Sequence, residues 1–226
     1  MRVTIPSRRT RELVTTYGSA LPILLGTIAL MVTLAQHGGY FVTDWYPAGL
    51  VLLGLLAVAL VSTARMRPPR AVVVAVALLI AYAAWSYGSI SWSHQRGLAW
   101  DGANRTMLYA IVFALFAWRP LPGRAAGVLV GLLTAAAAGI GLAELVHLLG
   151  AANPRVDFIG GRLSEPVGYP NGDAVLFTMG LFLCAGIMCV RSLASPLRGA
   201  SFGGAVLLGG LALMAQSRGW LFILPV

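Results

Sequence analysis

The chain has 226 residues, of which 58% are hydrophobic and only 10% are charged. A soluble domain has about a quarter of its residues charged, so this composition excludes an ordinary soluble protein and indicates an integral membrane protein. The net charge is +9, and all sixteen basic residues counted in it are arginines. The arginines lie in short loops between apolar segments, where the positive-inside rule places them. We therefore expect no nucleic acid partner.

Apolar segments follow one another along the chain and predict an all-α fold, a polytopic bundle of transmembrane helices. A basic arm, residues 1–18, precedes the first segment, which is long enough to remain a span rather than a cleaved signal. The fourth segment is short, so we expect its helix to extend back into the polar residues before it. The seven predicted spans are residues 19–36, 48–64, 71–87, 106–118, 125–149, 174–190 and 200–216, and an eighth begins after residue 219.

The distribution of charge predicts the orientation. With a cytoplasmic N-terminus, eleven of the sixteen arginines lie inside, and five of the seven acids lie outside. The inner turns are too short to separate domains, so residues 1–226 are interpreted as a single transmembrane domain. Since the sequence stops within an apolar element, we expect this domain to be truncated at its C-terminus.

Motifs for cofactors and metals are missing from the sequence. It has no Walker loop, dinucleotide fingerprint, HExxH motif or nucleophile elbow. Cys184 and Cys189 are five residues apart and lie on different helix faces, so they predict neither a disulfide nor a metal pair. We therefore expect no cofactor and no metal.

The polar stretch 160–173 is the strongest candidate for a binding site. Asn171 or Asp173 can cap the N-terminus of the sixth span, where free N–H groups and the helix dipole favour an anion. Arg162 can add a bidentate contact to phosphate, the flanking glycines permit close backbone approach, and Tyr169 lies beside Asn171. A capped helix preceded by a turn, without a ligand, explains the same residues about equally well.

Three further groups are weaker candidates. Arg218, with Ser217 before it, lies at the outer end of the seventh span and either binds the same anion or only snorkels to the interface. Glu144 and His147 share one helix face and form either a proton relay or, as we favour, a mutually satisfied pair. Arg105 opens the fourth span and either caps it or faces the same outer cavity.

The chain resembles the O-antigen ligase and O-antigen polymerase superfamily of bacterial membrane proteins. Two blocks carry the likeness, an Arg-to-Gly-Tyr-Pro-Asn block and a later Ser-Arg-Gly, and two earlier stretches also look like that family. These segments are residues 161–171, 217–219, 38–41 and 92–106.

The resemblance implies a metal-independent glycosyltransferase of the bacterial cytoplasmic membrane, here its N-terminal portion. It would transfer glycan from an undecaprenyl-diphosphate carrier to a glycan, lipid or protein acceptor on the outer face of that membrane. Membrane lipids would be further partners of the chain. By position, Arg162 and Arg218 would hold the diphosphate. Asp173 stands where the family more usually has an apolar or small residue. The family's catalytic histidine lies on a later outer loop, so no catalytic residue is assigned. Two alternatives remain: a permease or flippase for lipid-linked oligosaccharide, and a non-catalytic membrane scaffold.

Overall fold

The computed structural model describes residues 20–62, 68–118, 121 and 123–217. Seven α-helices and one two-stranded hairpin lie within these ranges. The helices are α1 (Leu21–Leu34), α2 (Val42–Ser62), α3 (Arg70–Ser89), α4 (Arg96–Ala117), α5 (Gly123–Gly150), α6 (Pro170–Met188) and α7 (Ser195–Ala215), and the strands are β1 (Phe158–Ile159) and β2 (Arg162–Leu163). The basic arm and the start of an eighth span fall outside the described residues.

Helices are present at all seven predicted places, and five of them are long and apolar enough to cross a membrane. These five are α2, α3, α5, α6 and α7. The 14 described residues of α1 are too few to be counted, and α4 is not among the five. A helical, multi-pass membrane architecture is therefore confirmed, whereas seven spans and a cytoplasmic N-terminus remain predictions.

Large apolar side chains point outward from the long helices. Leu50 and Val61 of α2 are 71% and 80% exposed. Continuous apolar surface of this kind is rare on soluble monomers but is what the hydrocarbon of a bilayer solvates. These side chains form the lipid-facing surface.

The prediction that the fourth helix extends into polar sequence is confirmed. α4 begins at Arg96 and includes an i,i+4 ion pair, in which Arg105 Nε lies 3.3 Å from Asp101 Oδ2. Asn104, one residue earlier, accepts a 2.6 Å hydrogen bond from the hydroxyl of Tyr87 in α3. Asn104 and Arg105 thus have side-chain partners on α3 and on α4 itself.

The fold divides into two compact units. The first contains the described residues of Met1–Ala29 and Pro47–Ala125, and the second those of Leu30–Tyr46 and Ala126–Val226. In the first unit α3 and α4 form the main helix pair. Gly26 of α1 lets Leu115 and Leu52 approach closely, since a Cβ at Gly26 would lie 2.8 Å from Leu115 Cδ2.

In the second unit α6 and α7 form an antiparallel pair around a continuous apolar core. Phe177 and Leu208 are fully buried there. Gly180 permits the close packing, because a Cβ at that position would lie 2.8 Å from both Ala137 Cβ and Leu208 Cδ1. A short 3-10 turn, Pro154–Asp157, then leads from the end of α5 into the hairpin.

The hairpin positions the residues of the candidate site. β1 and β2 pair antiparallel, with Phe158 opposite Leu163. The turn consists of Gly160 and Gly161, whose φ angles of 59° and 79° suit glycine in a two-residue hairpin. The two glycines are thus explained by the tight turn. The sequence suggested that they allow a ligand to approach the backbone closely, but this role is not needed to explain their presence.

Candidate functional site

The candidate site lies at the end of the second unit where α5 ends, α6 begins and α7 ends. Residues 151–169, here called the site loop, connect α5 to α6 and carry the hairpin. The buried Leu163 of β2 belongs to the same core as the α6–α7 pair, which fixes β2 against both helices.

Arg162 of β2 bridges the two helices of this pair. Its Nε donates a 3.1 Å hydrogen bond to the carbonyl oxygen of Ala215 at the end of α7, and its Nη2 donates a 2.7 Å bond to Oδ1 of Asn171 in α6. Ala215 is the last residue of the helix, so its carbonyl lacks an i+4 partner and is a strong acceptor. The guanidinium is therefore held at a fixed place between two helix ends.

Asn171 is oriented from its other side as well. Its Nδ2 donates a 2.6 Å hydrogen bond to the hydroxyl oxygen of Tyr169. Arg162, Asn171 and Tyr169, three of the residues singled out in the sequence, thus form one continuous hydrogen-bonded chain.

The prediction that Asn171 or Asp173 caps α6 is wrong. The helix begins at Pro170, and its N-cap is Tyr169, which makes no side-chain cap bond. Proline fits this first helical position because it has no N–H to satisfy. The N–H groups of Gly172 and Asp173 both donate to the carbonyl of Tyr169, at 2.8 and 3.1 Å. Fewer free backbone donors are left for an anion than the sequence suggested.

Asp173 holds the loop that precedes the helix. It is fully buried, and its Oδ1 accepts a 3.0 Å hydrogen bond from the backbone N–H of Val167. The side chain of Val167 in turn lies against Gly38 and Gly172, where added Cβ atoms would overlap it. The stretch 38–41 is thereby placed next to the site loop.

The favoured interpretation of Glu144 and His147 as a mutually satisfied pair is wrong. His147 Nε2 lies 3.3 Å from Oδ2 of the buried Asp157, with which it forms an ion pair when the imidazole is protonated. Oε1 of Glu144 is buried and has no hydrogen-bond partner among the described residues. Both residues nevertheless lie in the last turns of α5, at the end of the second unit that carries the candidate site (the site end).

The remaining predicted residues are not all brought to the site. Ser217 is buried two residues beyond Ala215. Arg218 falls outside the part of the chain that the structure describes. Arg105 belongs to the first unit and pairs with Asp101. The structure therefore joins Arg162, Asn171 and Tyr169 to the end of α7.

The arrangement offers two kinds of chemistry. The Arg162 N–H groups that are not used in its two bonds have no partner among the described residues, and a guanidinium in this state binds phosphate oxygens. A buried carboxylate oxygen such as Glu144 Oε1 can accept a proton from a hydroxyl group. Within the described ranges, no group of His, Cys, Asp or Glu side chains could hold a metal ion.

Sequence reasoning missed three contributors to the site. The Ala215 carbonyl is a backbone group, which no residue pattern identifies. Asp157 lies ten residues after His147, and only the fold of the site loop brings the two together. An isolated valine beside a glycine predicts no particular contact, so the sequence pattern does not indicate Val167.

Comparisons of the chain with protein-family models, with curated proteins and with solved structures find no match.

Proposed function

We propose that this chain belongs to a bacterial membrane glycan transferase of the O-antigen ligase type. It transfers a glycan from an undecaprenyl-diphosphate carrier to a glycan, lipid or protein acceptor. The reaction takes place at the outer face of the cytoplasmic membrane.

The observation that supports this proposal is the position of Arg162. Its guanidinium is fixed by the Ala215 carbonyl and by Asn171 at the ends of two apolar helices. A lipid-linked diphosphate has its charge at the membrane interface and its hydrocarbon in the bilayer. A preorganised cation at the ends of apolar helices matches that distribution of charge and hydrocarbon.

The role proposed for Arg162 is electrostatic. Transfer of the glycan breaks the bond between the sugar and the diphosphate, so negative charge develops on the departing oxygen. A guanidinium that is already in place stabilises this charge without reorganising, and loss of one such donor typically costs about 100–1,000-fold in rate. Arg218 is proposed as the second cation, on the basis of the sequence alone.

In this proposal the N-terminus is cytoplasmic, all seven helices cross the membrane, and the site end faces outward. Arg191 and Arg198 then lie inside and Arg155 and Arg162 outside, in agreement with the positive-inside rule. Cysteine labelling tests this orientation. Native Cys189, exposed at the far end of α6, should react with a membrane-impermeant maleimide only in inverted vesicles. A Val156→Cys, Cys189→Ser variant, in which the native exposed cysteine is removed, should react only from the opposite face, and the reverse result would overturn the orientation.

The functional test is glycan transfer in the native host. Arg162→Ala should abolish transfer while the protein remains inserted at normal abundance. Arg155→Ala is the matched control, because Arg155 is an exposed arginine of the same loop and should leave transfer unchanged. Normal transfer by Arg162→Ala would reject the anion site. Movement of a lipid-linked sugar across vesicles without any acceptor would instead support a flippase.

A further inference from the structure

A groove lies in the second unit at the end opposite the candidate site. It has a volume of about 370 Å³, within the range of ligand-binding pockets. Its walls are formed by α5, by the last turns of α6 and by the first turns of α7, for example by Gly131, Cys184 and Leu197. Ile187 in its wall follows Asn171 by more than four turns of α6, which corresponds to about 24 Å.

The walls of this groove are mostly apolar, and their two hydroxyl-bearing residues are Thr134 and Ser201. Gly127, Gly131 and Ala138 line it from α5, and their lack of bulk leaves the space open. The one threonine in the wall, Thr134, donates its hydroxyl to the carbonyl of Val130 at 2.7 Å, so it presents no free polar group to the groove. A hydrocarbon chain fits such a surface.

Positive charge stands at the mouth of the groove. Arg198 is adjacent to Leu197 of the wall, and its Nε donates a 2.9 Å hydrogen bond to the carbonyl of Met188 at the end of α6. Arg191 is exposed in the loop between the two helices. No carboxylate pairs with either arginine among the described residues, and the described acids of this unit all lie toward its other end.

From these observations we propose that the groove binds one anionic phospholipid, with an acyl chain along α5 and its phosphate at Arg191 and Arg198. Charge complementarity selects the lipid, since basic clusters between transmembrane helices attract anionic headgroups. The site is separate from the proposed glycan-transfer site and does not depend on that function.

The test is a competition between two lipid probes for the full chain in detergent, read by native mass spectrometry. Phosphatidylglycerol should be retained about tenfold more strongly than phosphatidylcholine. The double variant Arg191→Gln, Arg198→Gln should lose this preference, whereas Arg155→Gln should keep it. Equal retention of the two lipids by the unaltered chain would overturn the proposal, and this outcome requires no variant to fold.

A second variant tests the groove itself. Gly131→Leu places a side chain in the groove and should remove both lipids, while Gly139→Leu is a matched control. Gly139 lies on the same helix outside the groove, and a Cβ at either position meets no atom within 4 Å. Retention of phosphatidylglycerol by Gly131→Leu would reject the groove as the site. A change of oligomeric state in Gly131→Leu without loss of lipid would show that a second copy of the chain occupies it.

Discussion

The side chain of Val167 fills the space beside Gly38, so that a Cβ atom added at Gly38 would overlap Cγ1 of Val167. Gly38 lies in the short connection between α1 and α2, and Val167 lies just before α6. Val167 also contacts Gly172, where an added Cβ would lie 2.8 Å from the same Cγ1 atom. One valine between two glycines thus joins the α1–α2 connection to the site loop.

Gly38→Ala should destabilise the protein by about 2–5 kcal/mol. The backbone at Gly38 has a φ of 64°, which costs a residue with a Cβ about 1–2 kcal/mol, and the overlap with Val167 adds about 1–3 kcal/mol. The free energy of unfolding in mixed detergent micelles measures the loss.

Gly160→Ala separates the two contributions to this loss. Gly160 has a similar φ of 59°, but a Cβ there meets no atom within 4 Å. This variant should lose only about 1–2 kcal/mol. Val167→Ala should partly rescue Gly38→Ala in a double-mutant cycle. Equal losses for Gly38→Ala and Gly160→Ala would show that the contact with Val167 contributes nothing.

Gly180→Ala should loosen the packing of the core of the second unit. The new methyl would lie 2.8 Å from Ala137 Cβ, which cannot move aside by a change of rotamer, and we expect a loss of about 1–3 kcal/mol. Gly186→Ala on the same helix meets no atom within 4 Å and should be neutral or stabilising by up to about 1 kcal/mol. Apparent melting temperatures of the two variants in detergent should therefore shift in different directions. A loss in both would mean that α6 does not tolerate any change at its glycines.

The fold could be predicted to a large extent because hydrocarbon imposes a simple rule. Every backbone polar group in a bilayer must be satisfied within its own segment, so long apolar segments form helices. The helix before residue 106 could be expected for a related reason, since the apolar segment 106–118 alone is too short to cross the bilayer. The division into two units depends on how the segments pack against one another. The hydrophobic pattern within each segment does not carry this information.

The candidate site could be predicted only where its residues are close in sequence. Arg162 and Asn171 are nine residues apart in one polar loop, and the structure joins them by a hydrogen bond. The bond from Arg162 to Ala215 spans 53 residues and ends on a carbonyl, so no side-chain pattern indicates it. His147 was paired with the wrong acid because helical spacing favoured Glu144, whereas the fold of the site loop brings Asp157 to it.

Gln216→Gly should stabilise the end of α7. Gln216 is the C-cap of the helix and has a φ of 46°, a left-handed conformation that costs side-chain-bearing residues about 1–2 kcal/mol. Glycine adopts it freely but loses more chain entropy on folding, so we expect a net gain of up to about 1 kcal/mol. Gln216→Val should be destabilising, since a β-branched residue tolerates positive φ poorly. A lower melting temperature for Gln216→Gly than for the unaltered chain would contradict this account.

Asn171→Asp should weaken donor binding without destabilising the protein. The amide oxygen of Asn171 accepts a 2.7 Å bond from Arg162 Nη2, and a carboxylate in its place would pair with the guanidinium and repel a diphosphate. We expect binding of an undecaprenyl-diphosphate donor to fall by about tenfold, while the melting temperature stays the same or rises, because the hydrogen bond to Arg162 is replaced by a half-buried ion pair. Tyr169→Phe is the control, since it removes only the hydroxyl that contacts Asn171 Nδ2 at 2.6 Å and adds no charge. A purely structural role for Arg162 predicts unchanged donor binding in Asn171→Asp, so the effect on binding, measured separately from stability, decides between the two roles.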